Sequence, residues 1–527
     1  MMSPRIMGRH PRRHLGGGVS LVLLVACSSS PESHATKVDA ATEVDAATKE
    51  GATTDAARHD AAPEDATVSD LPSEADLDAW LKPAFDRGYI HGMVVGLIDG
   101  TGSVVRGYGT VGETGVAPTG DTLFQMGSLT ETFTGLAAAA EFGDGGVQGT
   151  EAVQALLPSS VTVPSFAGAP ISLADLASHS SGLPHSPTNQ LVTDDFNPYS
   201  SYTVTDLYAF LNSYSLPYAP GSQYTESDVG EGLLGLALGL RSGGTFNDVI
   251  QTVVAGPLGL VDTTGVLSAS QQSRFAPGYD GDFNATEPWT FTEAMAGSGE
   301  LDSTVNDLLK LAAAEAGISK SPLADAMAIS QEATLPIDEQ GDLSGYGWII
   351  SGGDVTWDEG VLYGSMSFVG FDAKHHKAVA LLLDTGAYTT LTPLGGDLPT
   401  TIGKLLLGWL QGTTPAALAT YLPPDVTLTT AQLQPFVGSY GGFPDGLGAL
   451  SIALQGGTLE GTADWLYPPQ NTDQLTPAKP FKLYPTSPTT FAFRATNGTA
   501  VFQTGGDGGV LGVSVTTWGE PFQGSKQ

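Results

Sequence analysis

The chain has 527 residues, enough to bury a sizeable core and to form about three domains. Its 56 acidic and 21 basic residues give a formal net charge of −35, which argues against nucleic acid and anionic lipid surfaces as partners. The sequence contains one cysteine, Cys27, so an intramolecular disulfide is excluded.

The first 26 residues have the pattern of an export signal. Four arginines precede a short apolar run over 19–26, which is too short to span a bilayer. The run ends in LVAC at 24–27, which matches the bacterial lipobox, a motif whose cysteine is lipidated. We therefore expect a lipoprotein signal peptide over 1–26, a membrane anchor at Cys27 and a cell-envelope location, in the outer membrane if the cell is Gram-negative. A simple secretory signal with an incidental cysteine is the alternative.

Residues 27–72 are predicted to form a disordered tether. Asp, Ala, Thr and Glu dominate this stretch, aromatic residues are absent, and VDAAT occurs at 38–42 and again at 44–48. A segment of this composition cannot bury enough apolar surface to form a core. Two folded domains are expected to follow, over 73–412 and 415–527.

The first folded domain is predicted to be α+β. Helical spacing begins after Ser73, and the middle of the domain, from about 160 to 320, is mostly helix and loop. Apolar runs typical of strands precede and follow this middle part in the sequence, and a predicted helix near 405–410 ends the domain. The predicted strands are 93–98, 103–109, 346–350, 367–371 and 378–383. This order predicts an antiparallel sheet with helices on its faces.

The second folded domain is predicted to be a small antiparallel β-barrel. From about residue 430 onward, short strand patterns alternate with glycine-rich turns. The first of these strands is expected at 436–440. The whole chain contains 68 glycines, about 13% of its residues, which indicates many turns and close backbone contacts.

The most informative segment is GSLTETFT at 127–134. It resembles the start of the nucleophile helix in class C β-lactamases, D-alanyl-D-alanine carboxypeptidases and related esterases. These enzymes share Ser-x-x-Lys, followed in many members by Thr-Phe-Thr. Here the serine is Ser128, and Glu131 replaces the lysine. The resemblance covers about residues 75–410 and implies a β-lactamase/transpeptidase-like fold, a ligand that is a small molecule or peptide of unknown identity, and neither a cofactor nor a metal.

The second family motif, Tyr-x-Asn, aligns with a carboxylate pair. The alignment rests on Pro-Gly at 220–221 and Gly-Leu-Leu-Gly at 232–235. It places Glu226 at the tyrosine position and Asp228 at the asparagine position. Tyr224 lies two residues before the tyrosine position and is expected to point elsewhere. His179, in the family-like stretch ISLADLASHSSGLP at 171–184, is expected to make a structural hydrogen bond.

The third family motif is Lys-Thr-Gly or His-x-Gly on a sheet strand. It aligns with Asp358 and the following Gly360, and Val361 would offer a backbone N–H to a developing oxyanion. The resemblance thus implies catalytic positions at Ser128, Glu131 and Glu226. It implies substrate-binding positions at Asp228, Asp358, Gly360 and Val361.

Four positions that carry a cation, a tyrosine or an amide in the family therefore carry a carboxylate. They indicate either a changed function or a general acidic drift of the sequence. Ser-x-x-Glu before an apolar run is also a capping box, in which the serine caps the helix and the glutamate bonds back to the serine N–H. A capping role would make Ser128 a poor nucleophile.

Three functions remain open from the sequence. The favoured one is a family member whose catalytic machinery is degenerate and which acts as a surface module. The second is an acid-active serine esterase or peptidase that uses Glu131 as base. The third is a Ca²⁺ or Mg²⁺ site built from the four carboxylates. DGDFN at 280–284 begins like a calcium loop, but its turn glycine and its final acid are missing, so we expect an ordinary acidic loop.

Overall fold

The computed structural model describes residues 70–143, 149–191, 194, 196–352, 354–386, 398–424, 426–443, 448–463, 480–494, 498–517 and 520–527. They belong to one unit, Ser69–Gln527. The predicted signal peptide, the lipidation site Cys27 and nearly all of the predicted tether lie outside the described residues. Among the helices of the described ranges, none is both long enough and apolar enough to cross a membrane.

A seven-stranded antiparallel sheet forms the centre of the first domain. The strands of this domain are β1 Gly92–Ile98, β2 Ser103–Gly109, β3 Phe124–Gln125, β4 Ser165–Phe166, β5 Ala169–Pro170, β6 Asp302–Ser303, β7 Leu343–Ser344, β8 Ile349–Ser351, β9 Val355–Leu362, β10 Ser365–Asp372 and β11 Lys377–Leu383. The order of strands in the central sheet is β2-β1-β11-β10-β9-β8-β7, and two short two-stranded sheets, β3-β6 and β4-β5, lie outside it. Strands β10 and β11 are buried along their whole length, which explains why they read as continuous apolar runs.

Helices cover both faces of this sheet, as predicted. The helices of this domain are α1 Glu74–Asp86, α2 Thr130–Gly143, α3 Leu173–Ala177, α4 Val204–Ser213, α5 Asp228–Ser242, α6 Phe246–Val249, α7 Gly256–Leu258, α8 Ala269–Gln272, α9 Ala296–Gly299, α10 Val305–Glu315, α11 Ala324–Ser330 and α12 Leu398–Leu410, and α13 Thr430–Leu433 precedes the strands of the C-terminal domain. Side chains alternate along a strand, so Val94 of β1 joins one apolar core while Met93 and Val95 join the other. The first core is shared with α2, α5 and α10, and the second with α1 and α12.

Local sequence signals explain most element boundaries. Helix α1 begins after Ser73, whose side chain accepts a hydrogen bond from Asp76 N at 3.2 Å. The strand predicted at 346–350 is shorter than expected, because β8 begins at Ile349. Gly347 has a φ of +67°, and a Cβ there would lie 2.2 Å from the carbonyl oxygen of Glu131. The chain must therefore turn at this glycine and pack against α2 before the strand can begin.

The C-terminal domain is a closed eight-stranded barrel, β12 to β19 in chain order. Its first strand begins at Gly438 rather than at Phe436, because residues 434–436 form a 3-10 turn. The barrel core is rich in phenylalanine, with Phe481, Phe491 and Phe493 almost fully buried. The strands are β12 Gly438–Gly441, β13 Leu450–Gln455, β14 Thr458–Thr462, β15 Phe481–Pro485, β16 Thr490–Phe493, β17 Gly498–Thr504, β18 Val510–Thr517 and β19 Glu520–Lys526.

The predicted acidic loop at 280–284 contacts the barrel. Asp282 accepts hydrogen bonds from Lys482 N at 2.7 Å and from the Tyr484 hydroxyl at 2.8 Å. A Cβ on Gly281 would lie 2.3 Å from the carbonyl oxygen of Arg494, so the loop backbone packs directly on the barrel. The loop carboxylates thus bind donors of the chain itself.

Candidate active site

Ser128 lies in a 3-10 turn over Gly127–Leu129 that leads directly into α2. Strand β9 packs closely against this turn. A Cβ on Gly360 would lie 1.8 Å from the carbonyl oxygen of Met126, and a Cβ on Gly127 would lie 3.2 Å from Val361 N. Gly127 also has a φ of +60°, which favours glycine. The backbone of the Ser128 turn is therefore held against β9 at Gly360 and Val361, the two positions that the family resemblance assigns beside the nucleophile.

A cavity of about 110 Å³ lies beside Ser128. Three of the four aligned carboxylates, Glu131, Glu226 and Asp358, line it. The structure thus brings together residues from α2, from the loop before α5 and from β9. The full lining is Ser128, Glu131, His179, Tyr224, Glu226, Gly347, Trp348, Ile349, Asp358 and Glu359.

One predicted side-chain direction is wrong, and one aligned acid lies outside the cavity. Asp228 is buried at the start of α5 but does not line the cavity, because its Oδ2 accepts a hydrogen bond from the Tyr199 hydroxyl at 2.6 Å and its Oδ1 faces His185 at 3.5 Å. Tyr224 was expected to point elsewhere, yet it lines the cavity and packs edge-on against His179. The four carboxylates therefore do not form a single ligand set around the cavity.

The predicted capping box of Ser128 and Glu131 is also wrong. Glu131 is 6% exposed, and its Oε2 lies 3.1 Å from His179 Nε2 instead of reaching back to the Ser128 N–H. Its Oε1 is buried and has no hydrogen-bond partner among the described residues. The glutamate that replaces the family lysine therefore points its carboxylate toward the cavity and not toward the helix start.

His179 has a fixed ring orientation. It has a φ of +54°, and its Nδ1 accepts a hydrogen bond from Ser227 N at 3.1 Å. Because Nδ1 is an acceptor, the ring proton of the neutral imidazole is on Nε2, which faces Glu131. The predicted structural hydrogen bond is present, and it leaves the ring without a free lone pair that could take a proton from Ser128.

The pKa values of two carboxyl groups in the cavity, Glu131 and Asp358, are raised. Burial raises the pKa of Glu131 well above its usual value, and the negative charges of Asp228 and Glu226 raise it further. Burial likewise raises the pKa of Asp358 well above normal, with the charge of Glu131 as the next cause. Burial also raises the pKa of the Tyr224 hydroxyl. Burial therefore shifts the protonation equilibria of Glu131 and Asp358 toward the neutral acids.

Two further carboxylates belong to this region and are absent from the sequence-based set. Glu359 lines the cavity next to Asp358. Glu231 is fully buried, and neither of its carboxylate oxygens has a hydrogen-bond partner among the described residues. Its Oε1 lies 3.9 Å from His179 Nε2. Burial raises its pKa well above normal. Glu231 lies three residues after Asp228 on α5, and this spacing could have indicated that the two share a helix face.

Comparison with known proteins identifies the family of the domain that contains this site. Residues 77–391, more than half of the chain, match the family model described as Beta-lactamase. The chain belongs to the β-lactamase family. This β-lactamase family member is 30% identical over 220 residues to the D-alanyl-D-alanine-carboxypeptidase/endopeptidase AmpH of Escherichia coli (strain K12). The alignment covers 42% of this chain and 56% of AmpH. It is 25% identical over 209 residues to a β-lactamase of Providencia stuartii, in an alignment that covers 40% of this chain and 51% of that protein. It spans about half the length of these curated relatives.

Solved structures support the same fold. A β-lactamase/D-alanine carboxypeptidase from Yersinia pestis, complexed with citrate, superposes with a TM-score of 0.55 at 21% identity, covering 63% of this chain and 97% of that one. The octameric penicillin-binding protein homologue from Pyrococcus abyssi gives a TM-score of 0.56 at 18% identity, covering 86% of this chain and all of the other. The predicted β-lactamase/transpeptidase-like fold is confirmed. The chain thus combines the fold of a serine hydrolase family with carboxylates around Ser128.

Proposed function

We propose that this β-lactamase family member has lost the acyl transfer of its relatives and acts as a lipid-anchored binding protein of the cell envelope. One observation carries the proposal. Where the family resemblance expects a lysine, a proton-relaying tyrosine and a further cation, the cavity beside Ser128 presents Glu131, Glu226 and Asp358. The lipid anchor is supported by the lipobox-like LVAC at 24–27.

Nucleophilic catalysis by a serine needs a group that accepts the hydroxyl proton. His179 is unsuited, because Nδ1 accepts the Ser227 N–H and Nε2 carries the ring proton. Glu131 is less available as a base than an ordinary glutamate, because burial and neighbouring charges raise its pKa and favour the protonated acid. Neither residue therefore offers Ser128 a ready proton acceptor.

The charge of the cavity also opposes the substrates that the relatives' names indicate. A β-lactam and a peptide C-terminus both carry a carboxylate. Asp358 and Glu359 occupy the strand β9 edge of the cavity, and both would repel such a group when ionised. We therefore expect the natural ligand of the cavity to be neutral or cationic.

The alternative function is hydrolysis with Glu131 as base. Its carboxylate lines the same cavity as Ser128. The sequence predicts highest activity in acid, but the raised pKa of Glu131 means that the ionised base forms at higher pH than in an ordinary glutamate. Glu131 becomes a base only when it is ionised, so activity through it would rise with pH and be absent in acid.

Covalent labelling of the purified, membrane-extracted protein with a fluorophosphonate at pH 4 and pH 8 tests this proposal. Mass spectrometry should find no adduct on the Ser128 peptide at either pH. The same spectra read the N-terminal peptide, in which a diacylglyceryl mass on Cys27 is expected. Ser128→Ala is the matched control, and circular dichroism establishes that both proteins are folded.

An adduct on Ser128 at either pH would contradict the loss of acyl transfer. If labelling increases from pH 4 to pH 8 and disappears in Glu131→Gln, Glu131 acts as the base and the alternative function is correct. If the mature N-terminal peptide carries an unmodified cysteine, the lipid anchor is excluded.

A further inference from the structure

Three side chains of the kinds that bind metal ions meet at the start of α5. His185 Nε2 lies 3.5 Å from Asp228 Oδ1 and 3.9 Å from Glu226 Oε1. One ligand atom from each residue lies within 4.8 Å of the other two. Asp228 is largely buried, whereas the side chains of His185 and Glu226 are 58% exposed. The group therefore offers one imidazole and two carboxylates on a surface that solvent and ions can reach.

A chain of hydrogen bonds fixes which atoms face the centre of this group. The Tyr199 hydroxyl donates to Asp228 Oδ2 at 2.6 Å, so its oxygen accepts from the Ser186 hydroxyl at 3.1 Å. Because the Ser186 proton is used in this way, Ser186 Oγ accepts from His185 Nδ1 at 3.1 Å. Outer partners of this kind set the tautomer and direction of metal-binding histidines and carboxylates.

This orientation makes Nε2 the ring atom that faces the two carboxylates. Asp228 Oδ1 and Glu226 Oε1 are its near neighbours, so one imidazole nitrogen and two carboxylate oxygens converge on one point. Such a set of ligand atoms suits a metal ion.

The two carboxylates of the group have no lysine or arginine partner among the described residues. Within those residues, no Lys or Arg nitrogen lies within 4.0 Å of the carboxylate oxygens of Glu226 or Asp228. A metal ion bound at the centre would supply a positive charge next to both carboxylates.

We propose that His185, Glu226 and Asp228 bind a divalent first-row transition metal ion, with Zn²⁺ as the best fit. An imidazole with two carboxylates suits Zn²⁺, whereas Ca²⁺ and Mg²⁺ prefer oxygen ligands alone. Ligand atoms about 2.1 Å from a tetrahedral Zn²⁺ are about 3.4 Å apart, close to the observed 3.5 Å between His185 Nε2 and Asp228 Oδ1. The Glu226 side chain is exposed and can move inward to the same spacing, and water would complete the coordination.

Metal binding to the full-length protein, stripped with EDTA and dialysed, tests the proposal. Competition with a chromophoric chelator should give one Zn²⁺ per chain, and Co²⁺ should give the visible absorption of a low-coordinate site. Ca²⁺ and Mg²⁺ in tenfold excess should not displace Co²⁺. Glu226→Gln should weaken Zn²⁺ binding at least tenfold, and because that side chain is exposed this variant should fold normally. Tyr199→Phe should weaken binding about 10- to 100-fold, since it removes an outer partner of Asp228.

His375→Ala is the matched control. His375 is half exposed, and its Nδ1 lies 2.7 Å from Asp372 Oδ2. This pair is a second histidine–carboxylate contact, and it is remote in sequence from the proposed site. Its replacement should leave Zn²⁺ affinity unchanged. Unaltered affinity in Glu226→Gln, or displacement of Co²⁺ by Ca²⁺ or Mg²⁺, would overturn the proposal. Absence of Zn²⁺ binding would also overturn it. The proposal does not depend on the loss of acyl transfer. Fluorophosphonate labelling measures the reactivity of Ser128, whereas the metal titration measures binding at His185, Glu226 and Asp228, so either result can fail without the other.

Discussion

The acidic loop at 280–284 and the cavity beside Ser128 both contain buried carboxylates, but the surroundings of those carboxylates differ. In the loop, Asp280 Oδ1 accepts hydrogen bonds from Asp282 N and Asn284 N, each at 2.9 Å. Asp282 accepts one bond from the backbone and one from a side chain of the barrel. Both aspartates are at most 6% exposed. The loop therefore uses its negative charges as acceptors that join two parts of the molecule.

The carboxylates in and next to the cavity have fewer partners. Glu131 Oε1 and Asp358 Oδ2 of the lining are buried atoms without hydrogen-bond partners in the described part of the chain. The same is true of both oxygens of Glu231, which lies next to the lining residue His179. A buried polar atom that lacks a partner costs free energy. The difference indicates that general acidic drift is an insufficient explanation for the cavity, since the loop shows how this fold satisfies a buried acid when its role is structural.

A missing partner does not identify a ligand site by itself. Glu300, Asp302 and Glu315 each have one buried carboxylate oxygen without a partner among the described residues. None of them lines the Ser128 cavity. The candidate site is therefore defined by two properties together, namely unpartnered oxygens and a cavity that contains the residue at the nucleophile position. These other acids provide a way to separate the two properties by experiment.

The largest effect is expected at Glu315, a buried acid outside the cavity with one carboxylate oxygen that lacks a hydrogen-bond partner among the described residues. Burial raises its pKa from 4.5 to about 8, and a hydrogen bond from Gln331 opposes the shift. Between these two values the folded protein holds one more proton than the unfolded chain, so the free energy of unfolding falls by about 1.4 kcal/mol per pH unit as pH rises. Glu315→Gln should remove this loss. At pH 9 the variant should be more stable by on the order of 4 kcal/mol, and at pH 4 it should match the wild type.

Urea unfolding across this pH range, followed by tryptophan fluorescence, measures the effect. Glu332→Gln, a change at an exposed glutamate close in sequence, is the control and should alter stability by less than about 0.5 kcal/mol. A pH profile for Glu315→Gln that runs parallel to that of the wild type would show that Glu315 is solvated in the folded protein.

The fold could be predicted because its signals are local and repeated. Strand β2 has the predicted bounds, 103–109, since an alternating run follows a turn that glycine favours. Strands β10 and β11 could be placed because both are buried on two faces and read as apolar runs. The positions of Glu131 and Asp358 followed from motif spacing along a helix start and a strand. In regular structure such spacing fixes the side-chain direction.

The rest of the site could not be read from spacing. Tyr224 lies in an irregular loop before α5, where residue count does not determine direction, and it lines the cavity against expectation. His185 meets Glu226 and Asp228 only because a separate loop folds over the start of α5. The tautomer of His179 depends on a backbone N–H that lies 48 residues further along the chain. These features depend on tertiary packing.

An intermediate effect is expected at the partnered carboxylate of the loop. Asp282→Ala removes the acceptor of the Lys482 N–H and of the Tyr484 hydroxyl, and it leaves the backbone donor without its partner. The change should destabilise the protein by about 2 kcal/mol, measured as the urea midpoint at pH 7. Asp354→Ala is the control, because the ion pair of Asp354 with Lys374 is exposed and should contribute less than about 1 kcal/mol. Equal effects of the two changes would remove the contrast between the loop and the cavity.

The smallest effect is expected inside the cavity, at Glu131, and its sign is opposite to that at Asp282. The pKa of Glu131 is raised by burial, so its stabilising contribution is complete in acid and is lost as pH rises through the raised pKa. Glu131→Gln should therefore match the wild type at pH 5 and gain about 1 kcal/mol at pH 9, in the range typical of changes that relieve strain at a functional site. The gain is smaller than at Glu315 because the cavity of about 110 Å³ has room for water, which lowers the cost of ionisation. Loss of stability in Glu131→Gln at both pH values, in the same urea assay, would place Glu131 with the structural acids of the loop and would remove the strongest argument that this cavity is kept for a ligand.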